Sequence, residues 1–388
     1  MKGIEENKQV KIGITGSGGE TSVYDFIAAT IAEQFISREN HEVYWIYEGF
    51  RGLIRGFDGG GIKKATYGDI TKMKNSRAGK IIKGCRSYNS FNYNDKDYSI
   101  ETMNNLAYFD IVFVIGGDGS MGQCADYIST FKEGKIPHFI GLVATMDGAA
   151  ATGTTLGEST AAFTILREIE SSHDSAISLV RFSVVEAMGR YCGEPVADAA
   201  LLYLKDGKNV AAVITPQVNY NLECIAESVL RTNGGVVVVS EGIDREQDKP
   251  KKKKSKGYHQ VLSGAADYIA TKLKAILDVP ENRLDEWQKM DVKGTVTGYG
   301  QRAASATKSD MDHSVLHVME AVKRWDNGES NFVIVTDVDG KIGSMPIPDF
   351  VAENRIAEQT LLMKYHPRMQ RVLETLRDNY GVYVGEFK

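Results

Sequence analysis

The stretch Phe109-Asp110-Ile111-Val112-Phe113-Val114-Ile115, running into Gly116-Gly117-Asp118-Gly119-Ser120, decides the reading of this chain. A short apolar run closed by glycines reads as a buried strand ending in a tight turn, with a hydroxyl opening the next helix. Glycines let backbone N–H groups approach phosphate oxygens closely, and a helix N-terminus adds a favourable field. A carboxylate among phosphates repels them unless it holds a divalent cation, so Asp118 is a candidate Mg²⁺ ligand, directly or through water. A strand-turn-helix corner also needs glycines for steric reasons alone, and the turn by itself leaves both readings open.

Outward from that corner the alternation continues. Val10–Thr15 reads as a strand, Gly16-Ser17-Gly18-Gly19-Glu20 as a turn, and a helix follows to about Phe35. Further strands are expected at Val43–Tyr47, Phe139–Val143, Ile177–Val185, Val210–Ile214, Gly235–Ser240, Thr295–Thr297 and Phe332–Val338. Helical patterns begin near Met121, run from Glu158 to Glu170, and cover 219–231, 259–277, 309–325 and 351–363. Residues 48–99, rich in Gly, Lys, Asn and Tyr, read as surface loops around shorter elements, and Lys251-Lys252-Lys253-Lys254 as a solvated loop. Strands separated by helices predict parallel α/β sheets, which bind ligands at the carboxyl ends of their strands.

Composition narrows the class. A chain of 388 residues predicts two or three domains. Hydrophobic content of 42% and charged content of 25% are those of an ordinary globular protein. The net charge of -5 argues against nucleic acid as main partner, while leaving room for a local basic pocket that takes a phosphorylated metabolite. Cys85, Cys124, Cys192 and Cys224 lie far apart with no CxxC pair, so neither a disulfide framework nor a zinc site is expected. The start lacks the apolar run of a secretion signal and no stretch reaches membrane-spanning length, so a cytoplasmic setting without a membrane partner is expected.

Five further segments carry chemistry. Thr145-Met146-Asp147-Gly148 follows a strand and places Asp147 as a base at its end. The strand beginning at Arg181 delivers Glu186, Met188, Gly189 and Arg190. Ser240-Glu241-Gly242 ends another strand, Gly298-Tyr299-Gly300-Gln301-Arg302 brings an arginine, and Lys83-Gly84-Cys85-Arg86-Ser87 brings one more. Gathered at strand ends, they describe a pocket with several arginines, one base and one metal carboxylate. Phosphoryl transfer to a sugar-phosphate hydroxyl needs that inventory: positioning, neutralisation of phosphate charge and one proton acceptor.

In these segments the chain resembles the phosphofructokinase family, whose members phosphorylate the 1-hydroxyl of fructose 6-phosphate in glycolysis. The matching residues are Gly116 to Ser120, the T-x-D of Thr145 to Asp147, Ser183 to Gly193 with its Met-Gly-Arg-Tyr-Cys-Gly string, Ser240-Glu241, and Gly298 to Arg302; weaker echoes are Ile46 to Leu53 and the Arg86 segment. The resemblance runs in order from about residue 10 to about 325. It implies two Rossmann-like three-layer α/β/α domains with mostly parallel sheets and an active site in the cleft between them. The expected division is 1–157 with about 301–350 for the donor and Mg²⁺, and 158–300 with about 351–388 for the sugar phosphate.

Roles follow from the resemblance. Asp147 takes the hydroxyl proton, Thr145 contacts the transferred phosphoryl, and Arg190 stabilises its transition-state charge. Met188, Gly189, Glu241, Tyr299 and Arg302 hold the sugar phosphate, with Tyr299 standing where the family usually has histidine. Arg181 and Lys293 grip the 6-phosphate from a neighbouring subunit, lysine replacing the usual arginine and its bidentate fork. Gly18, Gly19, Arg86, Gly117, Gly119 and Ser120 face the donor, and Asp118 the Mg²⁺. Pyrophosphate-using relatives carry an aspartate and a lysine where this chain has Gly119 and Ala144; two small residues leave space for the rest of a nucleotide, which favours ATP. The resemblance implies a homotetramer or dimer of dimers; a hetero-oligomer with a more typical subunit is the alternative assembly.

The chain departs from the family in the string after Asp147, where Gly148-Ala149 replaces Asn-Asp, and in the first turn, where Gly18-Gly19-Glu20 replaces a G-G-D form. Sugar-phosphate residues are better kept than donor and metal residues. Alternatives to an ATP-dependent kinase are therefore a weakly active or inactive regulatory or structural subunit, and a kinase using pyrophosphate or another sugar phosphate.

Overall fold

The computed structural model describes residues 9–85, 89–131, 135–146, 152–232, 235–245, 262–282 and 290–388. In chain order the elements are β1 (Val10–Gly16), α1 (Tyr24–Phe35), β2 (His41–Ile46), α2 (Arg51–Arg55), β3 (Ile62–Lys64), α3 (Tyr67–Lys74), α4 (Ser99–Leu106), β4 (Ile111–Gly116), α5 (Asp118–Thr130) and β5 (His138–Val143). There follow α6 (Glu158–Ser178), β6 (Phe182–Ala187), α7 (Glu194–Lys205), β7 (Val210–Ile214), β8 (Val218–Asn219), α8 (Leu222–Arg231), β9 (Val236–Ser240), α9 (Ala265–Leu277) and β10 (Val292–Val296). The last are α10 (Gly300–Ala303), α11 (Lys308–Asp326), β11 (Phe332–Thr336), β12 (Ile342–Pro346), α12 (Ile347–Thr360), α13 (Pro367–Tyr380) and β13 (Glu386–Phe387). Among the described residues no helix is long and apolar enough to cross a membrane.

The chain forms two compact units: Met1–Thr145 with Ala151–Gly157 and Arg302–Arg355, and Met146–Ala150 with Glu158–Gln301 and Ile356–Lys388. In the first, seven strands lie in the order β12-β11-β5-β4-β1-β2-β3. Strand β4, every residue of which is buried, sits at its centre, pairing in parallel with β1 and β5. A strand covered on both faces reads as a continuous apolar run, as Ile111–Ile115 does. The core joins Ile12, Ile14, Phe113 and Ile115 to Ile27, Ile31 and Phe35 of α1 and to Val318 and Val322 of α11.

The second unit has a four-stranded, all-parallel sheet, β10-β6-β9-β7, and a small antiparallel pair, β13-β8. Val236–Val239 are buried and pack with α6, α7, α9 and α13 in one core that also takes Met363, Met369, Leu373, Leu376, Val382 and Val384.

Several expectations shift. Ile177–Val180 belong to the end of α6 and the turn after it, and β6 begins only at Phe182. Ile177, Leu179 and Val180 are 64%, 60% and 53% exposed, so an apolar surface run had mimicked the start of a strand. Helix α5 begins at Asp118, not near Met121, with Gly117 as its extended N-cap. As expected of loops around shorter elements, residues 48–99 contain α2, β3 and α3, the last opened by a reciprocal Thr66–Asp69 capping box. Lys251–Lys254, and the expected helix over 259–261, lie outside the described residues.

Candidate active site

In the first unit, β5, β4 and β1 are adjacent and parallel, so their carboxyl ends share one edge of the sheet. Thr145, the Gly117–Ser120 turn and the Ser17–Gly19 turn all stand on that edge. The loops are bonded to one another: Ser17 N–H donates to the Ile115 carbonyl (2.8 Å) and Ala144 N–H to that of Gly116 (3.1 Å). The buried Tyr24 hydroxyl, at the start of α1, lies 2.8 Å from the Ser17 carbonyl and 3.4 Å from that of Ala144. Gly116 is required, because a Cβ there would come within 2.5 Å of Ser120 Oγ and 2.6 Å of the Ser17 carbonyl. Gly18, at φ +83°, occupies the left-handed region that favours glycine. A Cβ at Gly119 would meet nothing within 4 Å, so that position faces open space. Thr145 is half-buried, and its carbonyl accepts a hydrogen bond from Thr155 Oγ1 at 2.7 Å.

Asp118 stands at the first turn of α5. Burial pushes its carboxyl above the usual carboxylate range, against the smaller opposing pull of Asn354 and the Arg355 guanidinium. Among the described residues its Oδ1 is buried without a hydrogen-bond partner. An acid held where ionisation is costly, with one oxygen unengaged, fits a carboxylate that faces a divalent cation. Ser120 lies in the same turn with its hydroxyl directed toward Gly116 and Gly18.

Arg86 and Asp147 lie outside the described residues. The segment leading to Arg86 is nonetheless fixed. Asp25, 1% exposed, accepts hydrogen bonds from the backbone N–H groups of Ile81 (3.1 Å) and Ile82 (2.9 Å), and Gly84 approaches so closely that a Cβ would lie 2.6 Å from the Gly18 carbonyl.

In the second unit, β10, β6 and β9 end together at a carboxyl edge that carries Met188, Gly189, Arg190, Glu241 and Tyr299. The Met188–Tyr191 turn is anchored along its length. Met188 N–H donates to Gln301 Oε1 (2.8 Å), and Gln301 Nε2 lies 3.4 Å from the Met188 carbonyl, so a buried side-chain amide pairs the turn as a strand would. Ser240 Oγ donates to the Gly189 carbonyl (2.7 Å), and Gln217 Nε2 donates to that of Tyr191. Gly189 has φ +149°, and a Cβ on it would lie 2.4 Å from the Cys192 carbonyl. A Cβ on Gly242 would lie 2.0 Å from the Arg190 carbonyl, so the Glu241 loop presses directly against this turn. The Arg190 guanidinium sits 6.0 Å from the Tyr191 ring. Tyr299 is 65% exposed; Arg302, half-buried in α10, is counted with the first unit.

Arg181 and Lys293 stand at the opposite, amino edge of this sheet, beside the start of β6 and near the start of β10. Arg181 donates to Ser175 Oγ (3.0 Å), and Lys293 pairs with Asp291 at 3.8 Å, a carboxylate also bound by Lys274 at 2.8 Å. Those lysines, Lys274 foremost, hold Asp291 below the usual carboxylate range. At about 3.3 Å per residue, a strand of this length separates Arg181 from Met188 by roughly 20 Å. Glu186 is a structural acid: 2% exposed, it accepts the Ala266 N–H (2.9 Å) at the start of α9, where an ordered carboxylate satisfies an orphan helix donor. Tyr24, Asp25, Gln217 and the tethering role of Gln301 escaped the sequence reading; only Gln301 had a signal, its place in the string before Arg302.

The phosphofructokinase family model matches residues 11–324. The chain is 26% identical over 352 residues to the pyrophosphate–fructose 6-phosphate 1-phosphotransferase of Thermoproteus tenax, covering 89% of this chain and 95% of that one. It is 27% identical over 302 residues to the ATP-dependent 6-phosphofructokinase of Serratia proteamaculans, covering 77% and 81%. Among solved structures, phosphofructokinase from Saccharomyces cerevisiae shares the fold with a TM-score of 0.73 at 21% identity, over 95% of this chain and 50% of that one. This chain thus spans half the length of the yeast chain.

Proposed function

The chain belongs to the phosphofructokinase family, and we propose that it transfers a phosphoryl group from ATP to the 1-hydroxyl of fructose 6-phosphate. The observation that carries this reading is the Met188–Tyr191 turn, whose peptides are tied down by Gln301, Ser240 and Gln217 and which bears Arg190 at a strand's carboxyl end. A guanidinium held on so constrained a backbone is preorganised for a phosphoryl group, and loose positioning would forfeit most of its effect.

In this mechanism Met188, Gly189, Glu241, Tyr299 and Arg302 orient the sugar phosphate. Asp147 accepts the proton of the attacking hydroxyl, and the oxygen it frees forms the bond to the γ-phosphorus as the bond to the leaving ADP breaks. Arg190 and Thr145 stabilise the charge on the transferred group. Backbone N–H groups of Gly117 to Ser120, at the N-terminus of α5, receive donor phosphate oxygens, with Gly18, Gly19 and Arg86 beside them. Mg²⁺, held through Asp118, supplies neutralisation of donor charge when bound.

ATP is favoured over pyrophosphate because Gly119 faces open space and Ala144 offers no cation to stand in for a missing phosphate. The similarity to the Thermoproteus enzyme is the observation on the side of pyrophosphate. Assembly with further copies is supported by the exposed apolar side chains of Ile177, Leu179 and Val180, which directly precede Arg181 in the chain, and Cys85, Cys124, Cys192 and Cys224, none of them in a disulfide, suit a reducing, cytoplasmic setting. A coupled assay with fructose 6-phosphate, Mg²⁺ and either donor tests the proposal. Turnover with ATP supports it, and turnover with pyrophosphate alone transfers it to the second donor. Saturable sugar-phosphate binding without turnover assigns the chain to a non-catalytic subunit.

A further inference from the structure

The segment Met363–Arg368, to which no role attaches in the reaction, brings His366 against the turn that opens α7. The ligand atoms of Cys192, Glu194 and His366 all lie within 4.8 Å of one another, and all three residues are buried. His366 is 3% exposed, and neither of its ring nitrogens has a hydrogen-bond partner among the described residues. A buried imidazole with both nitrogens unengaged is costly unless something else engages it. Beside the cluster, Glu158, Asp198 and Glu194 converge on the Arg368 guanidinium.

We propose that Cys192, Glu194 and His366 form a binding site for a divalent transition-metal ion of the zinc class. One sulfur, one imidazole nitrogen and one carboxylate oxygen are the donors that Zn²⁺ takes, and three protein ligands leave a fourth position for water. Bonds of about 2.0–2.3 Å place tetrahedral ligands roughly 3.5 Å apart, so closing the cluster needs movements of about an ångström. Burial raises the Cys192 thiol and the Glu194 carboxyl well above their ordinary pKa values. Ligation takes the thiolate and carboxylate forms, so protons leave to solvent as the ion binds. Arg368 and Asp198, with side chains 24% and 20% exposed, mark the solvent side through which an ion would enter. Glu194 begins α7 and His366 directly precedes α13, so the ion staples the two helices together. The sequence carried no sign of this site because its ligands fall into no recognised spacing.

The test uses the full chain stripped with a chelator and titrated with Zn²⁺ by calorimetry and with Co²⁺ by absorbance. We expect about one equivalent bound, with a sulfur-to-cobalt charge-transfer band that excess Mg²⁺ does not displace. Cys192→Ser should abolish the band. His366→Gln should weaken binding by at least the roughly 10²-fold that loss of even an outer-shell partner can cost. Exposed Cys224 and half-buried Cys85 are controlled by the paired variant Cys224→Ser with Cys85→Ser, which should keep the band. Absence of a band in the unsubstituted chain, its loss in the paired variant, or its survival in Cys192→Ser would overturn the proposal. If the ligand variants fail to fold, the unsubstituted chain and the paired variant still decide the matter.

Discussion

Replacing Gln301 by leucine tests whether the Met188–Tyr191 turn is the sugar-phosphate cradle. The two side chains have similar volume, so Gln301→Leu keeps the packing of a buried position while removing both polar contacts to Met188. The 2.8 Å bond carries the larger loss, since an amide stripped of its acceptor costs about 1–3 kcal/mol. The 3.4 Å contact is long for a hydrogen bond and adds at most about 0.5 kcal/mol. A penalty of about 2 kcal/mol on the binding-competent turn corresponds to roughly a 30-fold change, because about 1.4 kcal/mol is tenfold. The KM for fructose 6-phosphate should therefore rise by about that factor, with the donor KM unchanged and the free energy of urea unfolding lowered by about 2 kcal/mol. Gln301→Glu keeps an acceptor for the Met188 N–H but sets a carboxylate against its carbonyl, so it should recover part of the affinity. A coupled assay and urea melts on the same preparations give both numbers. Lower stability with an unchanged sugar-phosphate KM would show that the turn had loosened without consequence for the ligand, and the cradle assignment would fall.

Three other perturbations bear on separate parts of the scheme. Tyr24→Phe removes the hydroxyl between the Ser17 and Ala144 carbonyls; it should cost about 1 kcal/mol in urea unfolding and raise the donor KM while sparing that of the sugar phosphate, and a reversed pattern would misplace the donor edge. Asp118→Asn should lower kcat by about 10²-fold and raise the Mg²⁺ concentration for half activity, without changing sugar-phosphate affinity measured by calorimetry; an unaltered Mg²⁺ dependence would exclude the ligand role. Glu194→Gln concerns pH. Burial, and then Glu158, hold the folded-state pKa of Glu194 above its ordinary value, so between those two values the folded chain binds more protons than the unfolded one. Stability is thus lost as pH rises through that window. In chelator the variant should gain stability relative to the unsubstituted protein as pH rises above the ordinary carboxylate range, and parallel profiles would refute the assignment.

The sequence made the buried strands plain and the supporting contacts nearly invisible. Strand β4 was legible because burial on both faces writes itself as five consecutive apolar residues before a glycine. The edge strand β12 was not: of Ile342–Pro346 no residue is buried, so no alternation or apolar run marks it. Ile177–Val180 misled for the opposite reason, being apolar yet exposed. Helix α13 was missed although Met369, Val372, Leu373 and Leu376 recur at the i, i+3, i+4, i+7 spacing of a buried helix face, because it lies beyond the motif strings that guided the reading. At the candidate site, motif residues could be named from their strings, but which polar groups hold them depends on contacts between distant segments. Gln217 and Tyr191 are 26 positions apart, and Glu186 and Ala266 are 80 apart. Glu186 shows the cost of reading charge alone, since an acid beside a motif proved to satisfy a helix end.

The placement of Arg181 and Lys293 on the far rim of the second sheet bears on what counts as one working enzyme. A hexose phosphate is much shorter than the roughly 20 Å that a strand of this length spans, so a solitary polypeptide cannot bring those two cations and Met188 to the same ester. If they serve the reaction, each does so for a sister chain, and the smallest competent machine is a couple. Specific activity should then fall on dilution below the dissociation constant and return on concentration, and two defective chains, one lacking Arg181 and the other lacking Arg190, should regain partial turnover when mixed.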